Sequence, residues 1–278
     1  MHWLTTRFDI DMTLPRVMGI VNVTPDSFSD GGQHASSLAA QEHCDRLLAE
    51  GAHMLDIGGE STRPDARLVP VDEELARVLP VLRHAVSLGV PVSVDTSRPE
   101  VMLAALDLGV DIVNDVRSLR RPGALPLLAA HPRAGVCLMH MRGEPDTMRA
   151  EAEQGYDDVV AAVSGFLASR VSDCEAAGID RRRIAVDPGI GFAKTAVHNL
   201  RLLRHQDALL ALGLPVLAGW SRKATLGVIT GKPVGERMAA SVAAALLAVQ
   251  RGASVVRVHD VGPTVDALKV WQALVDAG

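Results

Sequence analysis

A chain of 278 residues that is 48% hydrophobic and 22% charged holds enough apolar material for one large soluble domain, and single α/β barrels commonly reach this size. A net charge of −5 argues against a general nucleic-acid binder, which would carry a clustered basic patch, but leaves room for a local basic pocket. Cys44, Cys137 and Cys174 form no CxxC or Cys/His spacing, so they read as reduced thiols of a cytosolic protein rather than disulfides or zinc ligands.

Residues 1–16 carry Arg7, Asp9, Asp11 and Arg16 and no apolar core of signal-peptide length. They are expected to form a short extension closing the floor of a domain that spans 17–278. The first apolar, β-branched run is Val17–Val23, and a long polar connection, Thr24–Ser37, follows it. A helical period over Leu38–Glu50 stops at Gly51, and the run Met54–Ile57 leads into a second long connection, Ser61–Pro70. The helix Val71–Leu88 stops at Gly89, the run Val92–Val94 follows, and the helix Pro99–Leu108 stops at Gly109. Runs at Ile112–Val116 and Gly135–Met139 precede the helix Tyr156–Ala177, which stops at Gly178. The run Ile184–Val186, the helix Ala196–Leu212 with its stop at Gly213, and the run Val216–Ala218 come next. The helix Glu236–Arg251 stops at Gly252, ahead of the last run, Val255–Val258. Glycine just past a helix is the usual C-terminal signal. The stretch Ala239–Val249 is too short to span a bilayer and is expected to be buried or to lie in a subunit interface.

Short, continuously apolar strands alternating with helices describe a parallel sheet covered on both faces, and eight such units without a composition break predict a single-domain TIM (β/α)8 barrel. An open doubly wound sheet would show a glycine-rich phosphate loop after its first strand, where this chain has Asn22-Val23-Thr24-Pro25. Both long connections follow strands, so both lie on the catalytic face as candidate lids.

Active sites of this fold are assembled from strand C-terminal ends. Any one polar residue there can simply cap the next helix, and Thr96, Asp115 and Asp260 are assigned to that group. The remaining ends sort into two chemistries. Asp95, Asn114 and Asp187 are buried hydrogen-bonding groups; a carboxylate accepts two parallel N–H bonds, as an amino group beside a ring N–H would offer. A carboxylate pair is also compatible with general acid–base work or with a purely stabilising ion-pair network. Arg63, Arg222, Lys223, Arg257 and His259 form a cationic set nearer the rim that suits a polyanionic leaving group, because arginine's planar fork matches phosphate oxygens. Asn22 and substrate phosphate oxygens could hold Mg2+, which needs few protein ligands. Ser221 has no evident His/Asp relay and Gly-x-Ser-x-Gly is absent, so group transfer by ionisation of a leaving group fits better than acyl or glycosyl hydrolysis.

The order of these motifs resembles the dihydropteroate synthase family. The run Met18–Gly32, with Asn22-Val23-Thr24-Pro25-Asp26-Ser27-Phe28, resembles its first signature, and Asp56-Ile57-Gly58-Gly59-Glu60-Ser61-Thr62-Arg63-Pro64 its second. Val94-Asp95-Thr96, Asn114-Asp115-Val116, Leu138-Met139-His140, Asp187-Pro188-Gly189, Ser221-Arg222-Lys223 and Arg257-Val258-His259-Asp260 follow in the family's order. The resemblance implies condensation of 4-aminobenzoate with (7,8-dihydropterin-6-yl)methyl diphosphate in folate biosynthesis, in a cytoplasmic homodimer. It implies pterin binding by Asp95, Asn114, Asp187, Lys223 and Arg257, of which Asp95, Asp187, Lys223 and Arg257 serve catalysis. Diphosphate would meet Asn22, Thr62, Arg63, Arg257 and His259, with Asn22 on Mg2+, and aminobenzoate would meet Phe28, Pro64, Phe192, Ser221 and Lys223. Of the two candidate lysines, the resemblance selects Lys223 over Lys194. Asp65, Ala193 and Trp220 depart from the family's usual residues. A pterin-dependent methyltransferase would bind a folate but handle no diphosphate, which the cations of Ser221-Arg222-Lys223 and Arg257-Val258-His259 argue against; a non-catalytic pterin-binding paralogue is the other alternative. Asp187→Asn is expected to weaken pterin binding by about 1.5–3 kcal/mol, the worth of one charged hydrogen-bond partner; calorimetry with an unchanged affinity would remove Asp187 from the pocket.

Overall fold

The chain opens with a hairpin, β1 (His2–Leu4) paired antiparallel with β2 (Asp9–Asp11), and then builds one parallel barrel. The structure, a computed structural model, describes residues 1–23, 32–60, 69–144 and 147–277. The barrel strands are β3 (Arg16–Asn22), β4 (Met54–Gly58), β5 (Val92–Asp95), β6 (Ile112–Asp115), β7 (Gly135–Met139), β8 (Ile184–Asp187), β9 (Leu217–Ala218) and β10 (Val255–Val258). They are hydrogen-bonded in the order β8-β7-β6-β5-β4-β3-β10-β9. A parallel bridge from Val186 to Val216 joins the two ends and closes the ring. The predicted (β/α)8 barrel is therefore the fold, with each strand within two residues of its expected bounds.

The helices that follow the strands are α1 (Gly32–Ala49), α2 (Val71–Ser87), α3 (Pro99–Asp107), α4 (Ala124–Ala130), α5 (Met148–Gln154), α6 (Val159–Ala176), α7 (Ala196–Arg204), α8 (Asp207–Leu210), α9 (Ala224–Thr230), α10 (Met238–Gln250) and α11 (Val261–Asp276). The six glycines taken as helix stops all have positive φ, from 65° at Gly213 to 97° at Gly51. Three expectations change. The first helix, expected from Leu38, starts at Gly32 and takes up the end of the expected connection Thr24–Ser37. The expected helix Ala196–Leu212 is two helices, broken at His205-Gln206, because the buried Gln206 amide donates to the carbonyls of Ala248 (3.0 Å) and Arg251 (3.2 Å) at the end of α10. The helix expected from Tyr156 starts at Val159, where the Asp158 carboxylate accepts from the amides of Val160 and Ala161. Helices α4, α5, α9 and α11 lie outside the segments that periodicity singles out. Among the described residues no helix is long and apolar enough to cross a membrane.

Side chains alternate across each strand. One set, including Val17, Leu55, Val94, Val113, Leu138, Val186 and Val256, packs outward against the helices in a single large cluster. The other set points into the barrel, and its lowest layer is apolar: Met18, Met54, Ile112, Cys137, Ala185, Leu217 and Val255. Trp3, Ile10 and Met12 of the N-terminal hairpin pack on this layer from below. Trp3 is wholly buried and donates its indole N–H to the Arg183 carbonyl at 2.9 Å, while Arg7 bonds the Asp111 carboxylate at 2.6 Å. All three cysteines are buried free thiols. Trp3→Ala should cost about 3–5 kcal/mol, the range for removing a large buried aromatic, with little change in substrate KM; urea unfolding with an unshifted midpoint would show that the hairpin does not seal the floor.

Candidate active site

One step up four of the strands from the apolar floor, the inward positions become polar. Two residues beyond Met54 stands Asp56, beyond Ile112 stands Asn114, beyond Ala185 stands Asp187, and beyond Val255 stands Arg257. Strand β5 adds Asp95, two beyond the buried Ser93. The register pairs Asp95 with Asn114 and Asn114 with Cys137, so Asp187, which pairs with Met139, stands one inward step beyond them at the end of β8. The expected trio of Asp95, Asn114 and Asp187 is thus brought together at the strand C-termini.

Arg257, expected among the rim cations, stands at the centre of this layer instead. Its Nε donates to Asp56 Oδ2 at 2.5 Å and its Nη2 to Asp95 Oδ2 at 2.7 Å. Asp56 Oδ2 also accepts from Asn114 Nδ2 at 3.1 Å. Burial opposes the guanidinium's charge, but Asp56 and then Asp95 outweigh it and hold Arg257 more firmly protonated than usual. Burial raises the Asp95 carboxyl to about 7, against the pull of Arg257 and with Asp56 and Asp115 adding to the rise. Burial also raises Asp187, opposed first by the Gly189 N–H, which donates to its Oδ1 at 2.7 Å, and then by the charges of Lys223, Arg257 and Lys194. Asp56 was missed from sequence as a site group, although a carboxylate inside the apolar run Met54–Ile57, at an inward position, is a readable signal.

The walls above this layer come from the next loops. Lys223 precedes α9, and its ammonium lies 4.3 Å from the centre of the Phe192 ring. Phe192 is buried in a cluster with Val116, Met139, Met141 and Met148, and it presents a face to Lys223. Ala193 adopts a left-handed conformation, φ 49°, the geometry that makes glycine common there. Trp220 is buried against the outer core.

Two rim cations have a different character from that expected. Arg222 is paired with Asp260 at 2.6 Å, which makes Asp260 an ion-pair partner rather than a cap. His259 is neutral at pH 7: burial, then the charges of Arg222 and Arg257, lower its pKa to about 3. Its Nδ1 lies 3.0 Å from Ser221 Oγ, so Ser221 does meet a histidine, but among the described residues no carboxylate bonds that imidazole to complete a relay. Asp115 accepts from Ser97 and from the backbone N–H groups of Arg117 (2.8 Å) and Leu119 (2.7 Å), a turn-forming role, and Thr96 donates to Glu74 at 2.6 Å. Asn22 ends β3 opposite Gly58. Phe28, Thr62, Arg63 and Pro64, most of both long connections, and Asp65 lie outside the described residues. Arg98 contacts both flanks of the 61–68 stretch, Glu60 at 3.6 Å and the Val69 carbonyl at 2.5 Å.

Asp56→Asn should lower unfolding stability by about 3 kcal/mol, the low end for a broken buried pair because Asp95 remains on Arg257, and should cut turnover. An unchanged urea midpoint with unchanged turnover would mean that Asp95 alone orients the guanidinium.

Comparison with known proteins shows the family. The sequence profile of the family described as pterin binding enzymes matches residues 18–259. The dihydropteroate synthase of Neisseria meningitidis serogroup B is 51% identical over 98% of this chain and 97% of its own. Among solved structures, Xanthomonas albilineans dihydropteroate synthase with 4-aminobenzoic acid is 54% identical with a TM-score of 0.90, covering 96% of this chain and 95% of that one. The same enzyme in complex with 7,8-dihydropteroate is 52% identical with a TM-score of 0.87 over the same shares. With its barrel, its inward layer and its ordered motifs, this chain belongs to the dihydropteroate synthase family of pterin-binding enzymes.

Proposed function

We propose that this chain joins (7,8-dihydropterin-6-yl)methyl diphosphate to 4-aminobenzoate, forming 7,8-dihydropteroate and releasing diphosphate. The observation that carries the reading is the layer of Asp56, Asp95, Asn114, Asp187 and Arg257, placed at the barrel centre where the strands end. An aminopyrimidinone edge has donors for the carboxylates of Asp95 and Asp187 and both donor and acceptor positions for Asn114. The Arg257 guanidinium plane can lie against the pterin ring while remaining bonded to its carboxylates.

In this reading the C–O bond between the pterin methylene and diphosphate breaks, and its electron pair leaves with diphosphate. The aryl amine's lone pair forms the new C–N bond, and the amine proton is lost to the departing diphosphate or to water. Aryl amines are neutral at pH 7, so no strong general base is needed. Positive charge developing on the methylene is stabilised by the carboxylates of Asp95 and Asp187. Lys223 and Phe192, with Ser221, frame the aminobenzoate, and Phe28, Thr62, Arg63 and Pro64 are assigned to the site by motif alone. His259 and Arg257 face the diphosphate.

The Mg2+ reading rests on Asn22, a hard amide oxygen at the end of β3, beside the proposed diphosphate. Among the described residues no cluster of three or more His, Cys, Asp or Glu side chains could hold a metal, so the remaining ligands would be diphosphate oxygens and water. Bound there, Mg2+ would offset the charge of the leaving group. Apolar side chains left exposed on α9, α10 and α11, among them Val228, Ile229, Leu247, Val270 and Leu274, support pairing of two copies, and the three free thiols support a cytoplasmic setting. The decisive assay is diphosphate release with both substrates and Mg2+: release that requires 4-aminobenzoate is expected, whereas pterin binding without release would make the chain a binding-only paralogue.

A further inference from the structure

The loop after β8 contains a charged group that the reaction above does not use. Lys194 is 7% exposed, and its ammonium contacts four acceptors: His140 Nδ1 at 2.9 Å, the carbonyls of Gly189 and Phe192 at 3.0 Å each, and the His140 carbonyl at 3.2 Å. Among the described residues no carboxylate forms an ion pair with it. An ammonium is costly to bury without an opposite charge, and a methionine of similar length would fill the same space at lower cost. Packing alone does not account for a lysine here.

The acceptors show what the charge holds together. His140 follows β7, and its N–H donates to the Asp187 carbonyl at 3.0 Å. Gly189 and Phe192 belong to the turn after β8, which carries Asp187 at one end and the Phe192 ring at the other. The turn is pressed against β7 so closely that a Cβ at Gly189, whose φ is 70°, would lie 1.9 Å from the His140 carbonyl oxygen. Three carbonyl dipoles converge on one point, and the Lys194 ammonium occupies it. The left-handed Ala193 lies between Phe192 and Lys194, a conformation that a residue with a Cβ keeps only where the surroundings fix it.

We propose that Lys194 is a positioning residue for the aminobenzoate site: by gathering the carbonyls of His140, Gly189 and Phe192 onto one ammonium, it sets how the Phe192 ring faces Lys223. The proposal rests on the function proposed above. Burial lowers the Lys194 pKa to about 7, with Asp187 opposing the shift and Lys223 adding to it. The other titratable groups around it are His140, held neutral with a pKa lowered to about 3 by burial and by Lys194, and His198 of α7, with Tyr156 packed against both imidazoles. Protonated Lys194 offers three N–H groups to its acceptors. The neutral amine offers two and turns a lone pair toward the carbonyl oxygens, so its hold on the turn weakens as pH rises through about 7.

The test is steady-state kinetics of Lys194→Met beside the parent enzyme. KM for 4-aminobenzoate should rise roughly tenfold or more, with KM for the pterin diphosphate within about twofold, because the turn's aromatic end moves while Asp187 stays in the strand ladder. In the parent, KM for 4-aminobenzoate should climb above pH 7, and in the variant it should be flat. A folded variant with the parent's KM for 4-aminobenzoate overturns the proposal. Should the variant not fold, the parent's own pH profile decides, and a flat KM between pH 6 and 9 overturns it. A parent that releases no diphosphate rejects the functional reading instead, so the two failures are distinct.

Discussion

The Arg257 guanidinium lies between Asp56 and Asp95, and the barrel can bury its carboxylates at mid-height because that contact exists. An unpaired ion at this depth costs several kcal/mol, whereas the arginine fork satisfies two carboxylates at once through separate nitrogens. The pairing also fixes Asn114, whose amide donates to the same Asp56 oxygen. Asp187 is stabilised differently, by the Gly189 N–H and by the fields of Lys223 and Lys194. The inward polar layer is therefore one electrostatic unit, and its members are set by each other as much as by their strands.

That unit can exist only because the barrel separates two environments along its axis. The period-two alternation of the strands gives seven of the eight an apolar inward residue near the start, with Ser93 in β5, and two positions later an inward polar or charged residue in five of them. Below, the Trp3 hairpin seals the apolar layer from water; above, the polar layer opens to the loops. The charges sit where desolvation makes each hydrogen bond strong, yet at the end of the barrel that a ligand can reach.

Much of this was legible in the chain. Strand positions followed from short β-branched runs, helix stops from glycine, and the trio Asp95, Asn114 and Asp187 from the residues at which those runs end. Gln206 shows why one helix was misread: its amide is used by carbonyls on a helix some forty residues away, so the break has no local cause. Asp56 was overlooked because a carboxylate within an apolar run looks like an interruption until a partner is found 201 residues later in Arg257. Arg222 and His259 looked like free cations on paper; Asp260 pairs with one, and burial neutralises the other.

The two lysines show most clearly where the boundary lies. By itself the sequence determined which residues have chemistry and which strand end each one occupies, because spacing within a strand or a turn is a local property. Which charges neutralise one another was decided by the tertiary structure alone, since burial and pairing depend on residues far apart in the chain. The resemblance of the motifs assigns Lys223 to the substrate site, and the fold lays it over Phe192. Nothing in the run Gly191-Phe192-Ala193-Lys194 reveals that Lys194 turns inward to bind three carbonyls, because one of those carbonyls belongs to His140, just past the neighbouring strand.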